Sequence, residues 1–284
     1  RVSSHTITGP RHAGNEDAIL IEADVFSGCD ACDRLVGLFG VFDGHGGASC
    51  SAMAKRIFPL HFRESQTWES LRGAVPGDAT AVERVLVAAL EDAFAKTCRQ
   101  FEAFAEAHGD NSGACALVVA VCDGVVVTAN VGDSKAIMYT RDGDKQSVRS
   151  TARHNISNPD EVARVLASGG HFVQNRLLGC LLPTRALGNI DCLKLCPGVL
   201  SARPQFQVVR LRPLAPPSDA AALVLASDGL WDFVETPQVV AALKAGLKRQ
   251  ARHLATVDVA GDLVADAVRA GSNDDTSVVV LVMK

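Results

Sequence analysis

Short apolar runs rich in β-branched residues recur along the whole chain, and nearly all of them are bounded by Asp, Asn or Gly. They cover 18–23, 35–42, 115–122, 125–131, 135–139, 205–211, 221–226 and 276–283. Runs this short, set between turn formers, read as strands. Asp123-Gly124 joins two of them directly. That pair suits the positive φ angles of a two-residue hairpin, so neighbouring strands are expected to pair antiparallel.

Helical patterning falls between these runs at 48–62 and 79–107, with two further helices near the C-terminus. In the second, Val82, Leu86, Leu90, Phe94, Cys98 and Phe101 step by three and four and make one apolar stripe. Asn158-Pro159-Asp160-Glu161 reads as a helix start, Gly169-Gly170 as its stop, and Thr236-Pro237 as another start. Helices inserted in pairs do not alternate strictly with strands. The expected class is therefore α+β, antiparallel sheets covered by helices, rather than a doubly wound parallel sheet. The proline-rich stretch 212–219 reads as a surface loop, leaving one domain over 1–284.

Charge and composition narrow the function. With 28 basic against 32 acidic residues and no basic cluster, a nucleic-acid partner is not expected. No apolar stretch is long enough to span a bilayer. Nine cysteines at uneven spacing, several inside apolar runs, suit reduced thiols and an intracellular location, cytoplasmic or nuclear. Cys29 and Cys32 form a lone CxxC with no second pair to complete a zinc site, and read as loop thiols. Arg1 in place of an initiating Met is expected for an excised catalytic region.

The most informative stretch is Phe39-Gly40-Val41-Phe42-Asp43-Gly44-His45-Gly46-Gly47, a buried-type strand that stops in an acid, a histidine and glycines. A bare Asp-Gly is usually only a turn. Here the arrangement repeats: Asp228-Gly229 ends the 221–226 run, Gly132-Asp133-Ser134 follows 125–131, Asn15-Glu16-Asp17 precedes 18–23, and Asp274-Asp275 precedes 276–283. Strand ends share a rim in antiparallel sheets, so these acids can converge. Gathered without a counter-charge they would repel by several kcal/mol, roughly the Coulomb energy of close charges at intermediate dielectric. Oxygen ligands of this kind select Mg²⁺ or Mn²⁺, and two ions are the economical count.

In order along the chain, Asn15-Glu16-Asp17, Val41 to Gly47, Ser112-Gly113, Asn130 to Ser134, Thr184-Arg185-Ala186, Ala226 to Asp232 and Ser272 to Asp275 resemble the motifs of the metal-dependent type 2C serine/threonine protein phosphatases. The resemblance implies a sandwich of two antiparallel β-sheets flanked on both faces by pairs of α-helices, with a binuclear Mg²⁺/Mn²⁺ centre at one end. Carried over, Asp43 bridges both ions, Asp228 and Asp274 bind one, and the Gly44 carbonyl with Glu16, through water, binds the other. Asp17 holds coordinated waters, and Asp133 and Asp232 match residues that hold a third, weaker ion in some members.

The activity implied is hydrolysis of phosphoserine and phosphothreonine in protein substrates, by a monomer, through a metal-activated water and without a phosphoenzyme. His45 is the expected proton donor to the leaving alkoxide. The family's phosphate-gripping arginine is displaced here: His12 occupies its register and Arg11 lies one residue further out. A one-residue bulge would bring Arg11 into place, and His12 is the alternative. Arg153 and Asn189 stand where the family favours aspartate, and Asp275 where asparagine is usual. The segment 154–196 matches the family's variable flap. A catalytically dead scaffold and a hydrolase of small phosphoesters are the rival readings.

Overall fold

The computed structural model describes residues 1–27, 32, 34–71, 75, 77–215, 219–251 and 258–283, with 250 and 251 described by backbone alone. Cys29 lies outside the described residues, as does part of the 212–219 loop. The first half runs β1 (Val2–Ile7), β2 (Ala18–Glu22), β3 (Gly37–His45), α1 (Ser49–Arg63), α2 (Ala79–His108), β4 (Gly113–Cys122), β5 (Val125–Val131), β6 (Lys135–Asp142) and β7 (Lys145–Ser150). Then come α3 (Pro159–Ala167), the short strands β8 (Phe172–Val173), β9 (Arg176–Leu177) and β10 (Leu187–Gly188), and α4 (Ile190–Leu195). The chain ends with β11 (Gln205–Arg210), β12 (Ala220–Ala226), α5 (Asp228–Trp231), α6 (Thr236–Ala251), α7 (Val259–Arg269) and β13 (Thr276–Met283).

Two large antiparallel sheets result, in the orders β1-β13-β12-β6-β7 and β11-β5-β4-β3-β2, with β10 added beside β4, while β8 and β9 pair as a separate two-stranded ribbon. Side chains alternate across each strand, so one strand feeds two cores. On β3, Phe39 and Val41 meet Leu223 and Leu225 of β12 between the sheets. Leu38 and Phe42 face outward onto Phe58 and Phe62 of α1 and Leu86, Leu90 and Phe94 of α2. On β12, Ala222 and Val224 face the other way, onto Val239 and Leu243 of α6 and Leu263 and Val264 of α7. The product is the expected α+β sandwich with helices on both outer faces. Covering both faces of each sheet is why the central strands read as continuous apolar runs.

Local signals were obeyed. Asp123 and Gly124 carry φ of 47° and 75° at the β4–β5 turn. Asn158 caps α3 by accepting from the Asp160 amide, with Pro159 at its first turn. All six stripe residues of α2 are buried. The strands that periodicity does not reveal, β1 and β7, are the two edges of the five-stranded sheet, where polar residues are tolerated because much of each strand faces water. Strand β3 also runs on through His45, three residues past its expected end, because it stays paired with β4 to Gly113. No helix among the described residues is long and apolar enough to cross a membrane.

A small satellite core of Val165, Leu177, Ala186, Val199 and Leu200 organises the flap segment. Beside it Glu161 is only 3% exposed. Its carboxylate accepts from Arg185 at 2.6 and 3.0 Å, from Arg164 at 3.0 and 3.2 Å, and from the Thr184 hydroxyl at 2.7 Å. Burial alone would raise this carboxyl, but those bonds outweigh it and hold it at about 2 against an ordinary 4.5. A depressed folded-state pKa stabilises above the unfolded value and the benefit fades as pH falls toward the folded one. Glu161→Gln is therefore expected to cost roughly 3 kcal/mol at neutral pH, with the gap to wild type closing between pH 4.5 and 2. Urea unfolding of both proteins across that range measures it, and a gap that ignores pH would contradict the assignment.

Candidate metal centre

The acids sit where strands of both sheets end at one rim of the sandwich. Asp43, Gly44 and His45 close β3, Asp133 follows β5, Asp228 follows β12, and Glu16-Asp17 and Asp274-Asp275 precede β2 and β13. Asp43, Gly44, His45, Glu16, Asp133, Asp228, Asp274 and His12 line one cavity of roughly 450 Å³. The flap closes one side of it with Arg176, Cys180 and Leu181 to Pro183.

Close backbone approach shapes the floor. The Glu16 carbonyl passes directly over Gly44, where any Cβ would overlap it, and accepts a hydrogen bond from Ser51 Oγ. Asp43 Oδ2 accepts from Ser134 Oγ at 3.3 Å and from the Asp228 amide at 3.4 Å. Burial, then the charges of Asp228, Asp17 and Asp133, push the Asp43 carboxyl well above its ordinary range. Burial, then Asp133, Asp232 and Asp274, do the same to Asp228.

Asp17 lies beneath, outside the cavity lining. Burial lifts its carboxyl to about 7. Both of its oxygens are enclosed without an aligned hydrogen-bond partner, although the nearby Ser277 and Ser227 hydroxyls temper the shift. Crowded carboxylates whose charge Arg153 offsets only in part, since Asp43, Asp133 and Asp228 all stay raised, together with enclosed oxygens that lack an aligned partner, are what a divalent-cation site requires of the protein. The residues fit Mg²⁺ or Mn²⁺.

Two expected residues, Arg11 and Asp232, are placed differently from this group, and so is Asp275 beside Asp274. Arg11 is exposed and outside the cavity lining, whereas His12 lines it. Asp232 is engaged by Arg153 Nη1 at 2.7 Å, and Arg153 Nε also bonds the Asp133 carbonyl at 2.7 Å. Asp275 turns away from the cavity. It is 3% exposed, accepts from the Gly9 and Glu16 amides at 2.8 and 2.7 Å, and pairs with His12 Nδ1 at 2.9 Å, at an angle short of a linear hydrogen bond. That bond, opposed by burial and aided by the charges of Asp275, Asp274 and Glu16, raises the His12 pKa.

Sequence reasoning missed Cys115 and the part played by Asn189. Asn189, held at φ 56°, meets His45 Nε2 with its side-chain oxygen at 2.9 Å. The only sequence signal was that it departs from the family's aspartate. Cys115 gave none, since its place depends on β4 lying in register beside β3.

A family model, Protein phosphatase 2C, matches residues 2–276. The chain belongs to the protein phosphatase 2C family. Membership makes it a hydrolase of the metal-dependent protein serine/threonine phosphatase class. Among relatives, Probable protein phosphatase 2C 47 of Oryza sativa subsp. japonica is 28% identical over 99% of the chain and 69% of its own length. The Integrin-linked kinase-associated serine/threonine phosphatase 2C of Bos taurus is 30% identical over 94% of the chain and 72% of its own length. The chain spans only 55 to 59% of three further rice relatives. A serine-threonine phosphatase 2C from Toxoplasma gondii shares the fold, with a TM-score of 0.80 at 23% identity over 100% of this chain and 94% of that one.

Proposed function

We propose that residues 1–284 form one catalytic domain that hydrolyses phosphoserine and phosphothreonine esters in proteins by direct attack of water, with no phosphoenzyme. The observation that carries this reading is the convergence of Asp43, Asp228, Asp274, Glu16 and His45 on one cavity at the end of the sandwich. Asp43 would bridge two Mg²⁺ or Mn²⁺ ions, with Asp228 and Asp274 on one, the Gly44 carbonyl and Glu16 on the other, and Asp17 behind coordinated water. When bound, such a pair supplies an attacking water acidic enough for neutral pH and positive charge for the phosphoryl oxygens.

The protein's own groups do the rest. His45, on the cavity wall and oriented by Asn189, gives its proton to the departing serine or threonine oxygen, a leaving group too basic to depart unprotonated. His12, whose pKa is raised and whose ring faces the cavity, is favoured over the exposed Arg11 for steadying phosphate. The buried thiols Cys50, Cys98, Cys115 and Cys192 support a reducing, intracellular setting, in the cytoplasm or nucleus, where the domain acts as a monomer on phosphoproteins.

Phosphate release from phosphothreonine and phosphotyrosine peptides and from nucleotides, at equal Mn²⁺, tests the substrate class. Faster turnover of nucleotides would sink the protein-phosphatase reading. His45→Ala is expected to retain fold and Mn²⁺ binding and to lower kcat by about 10²–10⁴-fold on phosphopeptides. The loss should be smaller on nitrophenyl phosphate, whose leaving group needs no proton, and equal losses on both substrates would remove His45 from that role.

A further inference from the structure

Cys115 lies directly opposite Asp43 in the β3–β4 register, so both side chains leave the same face of the sheet. Its Sγ donates to Asp133 Oδ1 at 3.1 Å. One ligand atom from each of Asp43, Cys115 and Asp133 lies within 4.8 Å of the other two. The thiol has little freedom to move away. Gly132, at φ +116°, carries its backbone so close that any side chain there would overlap the Cys115 Cβ and Sγ.

The neighbouring acid is not available to this group. Asp232, which the family resemblance would join to Asp133, is paired with Arg153. Asp133 keeps the Cys115 thiol, Asp43 and Asp228 as facing ligand groups, with Arg153 offsetting part of their charge.

We infer that this chain holds a divalent cation among Asp43, Cys115 and Asp133, with the cysteine sulfur as a ligand. A donor set of one sulfur and carboxylate oxygens, with a position open to the cavity, suits a borderline-soft ion such as Zn²⁺ or its analogue Cd²⁺ better than Mg²⁺. On binding, the S–H bond breaks, the sulfur keeps the electron pair that forms the metal bond, and the proton passes to water. The inference rests on Asp43 being a metal ligand and not on the phosphoryl chemistry. Because Asp43 is shared, an ion at this site competes with Mg²⁺ or Mn²⁺ for the same carboxylate.

Titration of the full chain with Cd²⁺ alone, followed by the ultraviolet thiolate-to-cadmium absorption band, tests it without any turnover. The band is expected with the first equivalent in wild type and in Cys180→Ser, and to be absent in Cys115→Ser. Asp133→Asn is expected to weaken Cd²⁺ binding by at least the about 10–100-fold that follows loss of a residue merely supporting a ligand. A full band in Cys115→Ser, or none in wild type, would overturn the site. Should Cys115→Ser not fold, cadmium NMR of the wild-type protein decides instead. A shift typical of one sulfur with oxygens supports the site and an all-oxygen shift refutes it. Mn²⁺-dependent phosphate release by wild type tests the phosphatase reading separately, so the two can fail independently.

Discussion

Asp43→Ala is expected to abolish Mn²⁺-dependent phosphate release and the rise in melting temperature that Mn²⁺ produces, while the metal-free variant melts no lower than wild type. Burial and then the charges of Asp228, Asp17 and Asp133 all oppose the ionised form of Asp43. Without a cation it strains the rim, so deleting it relieves repulsion. On the proposed assignment it would be the shared ligand once a cation binds, so deleting it should exceed the about 10–100-fold cost of losing a residue that only supports a ligand. Thermal melts with and without Mn²⁺, alongside phosphopeptide turnover, measure both halves. Turnover at the wild-type rate would remove Asp43 from the centre, and a metal-free variant well below wild type would mean that the site is not electrostatically strained.

Asp275→Ala is expected to cost about 3–5 kcal/mol, from two amide hydrogen bonds to a charged group at roughly 1.5–3 kcal/mol each. The carboxylate holds the Gly9 and Glu16 amides and the His12 ring at once. Removing it leaves those donors facing a space that water fills poorly. The loop they belong to carries Glu16 and Asp17, so Mn²⁺ affinity should fall as well, by about 10–100-fold. Asp275→Asn keeps an acceptor oxygen and should lose less. Urea unfolding gives the first number and Mn²⁺-dependent thermal shifts the second. A loss below about 1 kcal/mol, the scale of one ordinary hydrogen bond, would show that the loop is anchored elsewhere.

Much of the fold was legible because it is encoded locally. Asp123-Gly124 specifies its turn by backbone angles, Asn158-Pro159 specifies a helix start by capping, and the stripe from Val82 to Phe101 specifies a buried helix face. The edge strands β1 and β7 were not legible, since their order comes from pairing with β13 and β6 rather than from any periodicity of their own. The acids of the site were legible individually as strand ends. What surrounds each of them was not.

Alternation along a strand tells which side chains share a face but not which strand lies alongside. The sequence alone therefore determined the acids, the histidine and the rim on which they gather. Tertiary structure alone decided that Asp275 binds the Gly9–Glu16 loop, that Arg153 takes Asp232, that His12 rather than Arg11 reaches the cavity, and that Cys115 stands beside Asp43. Each of these is a contact between segments far apart in the chain. Such contacts are set by strand register and packing, and no local pattern of residues carries that information.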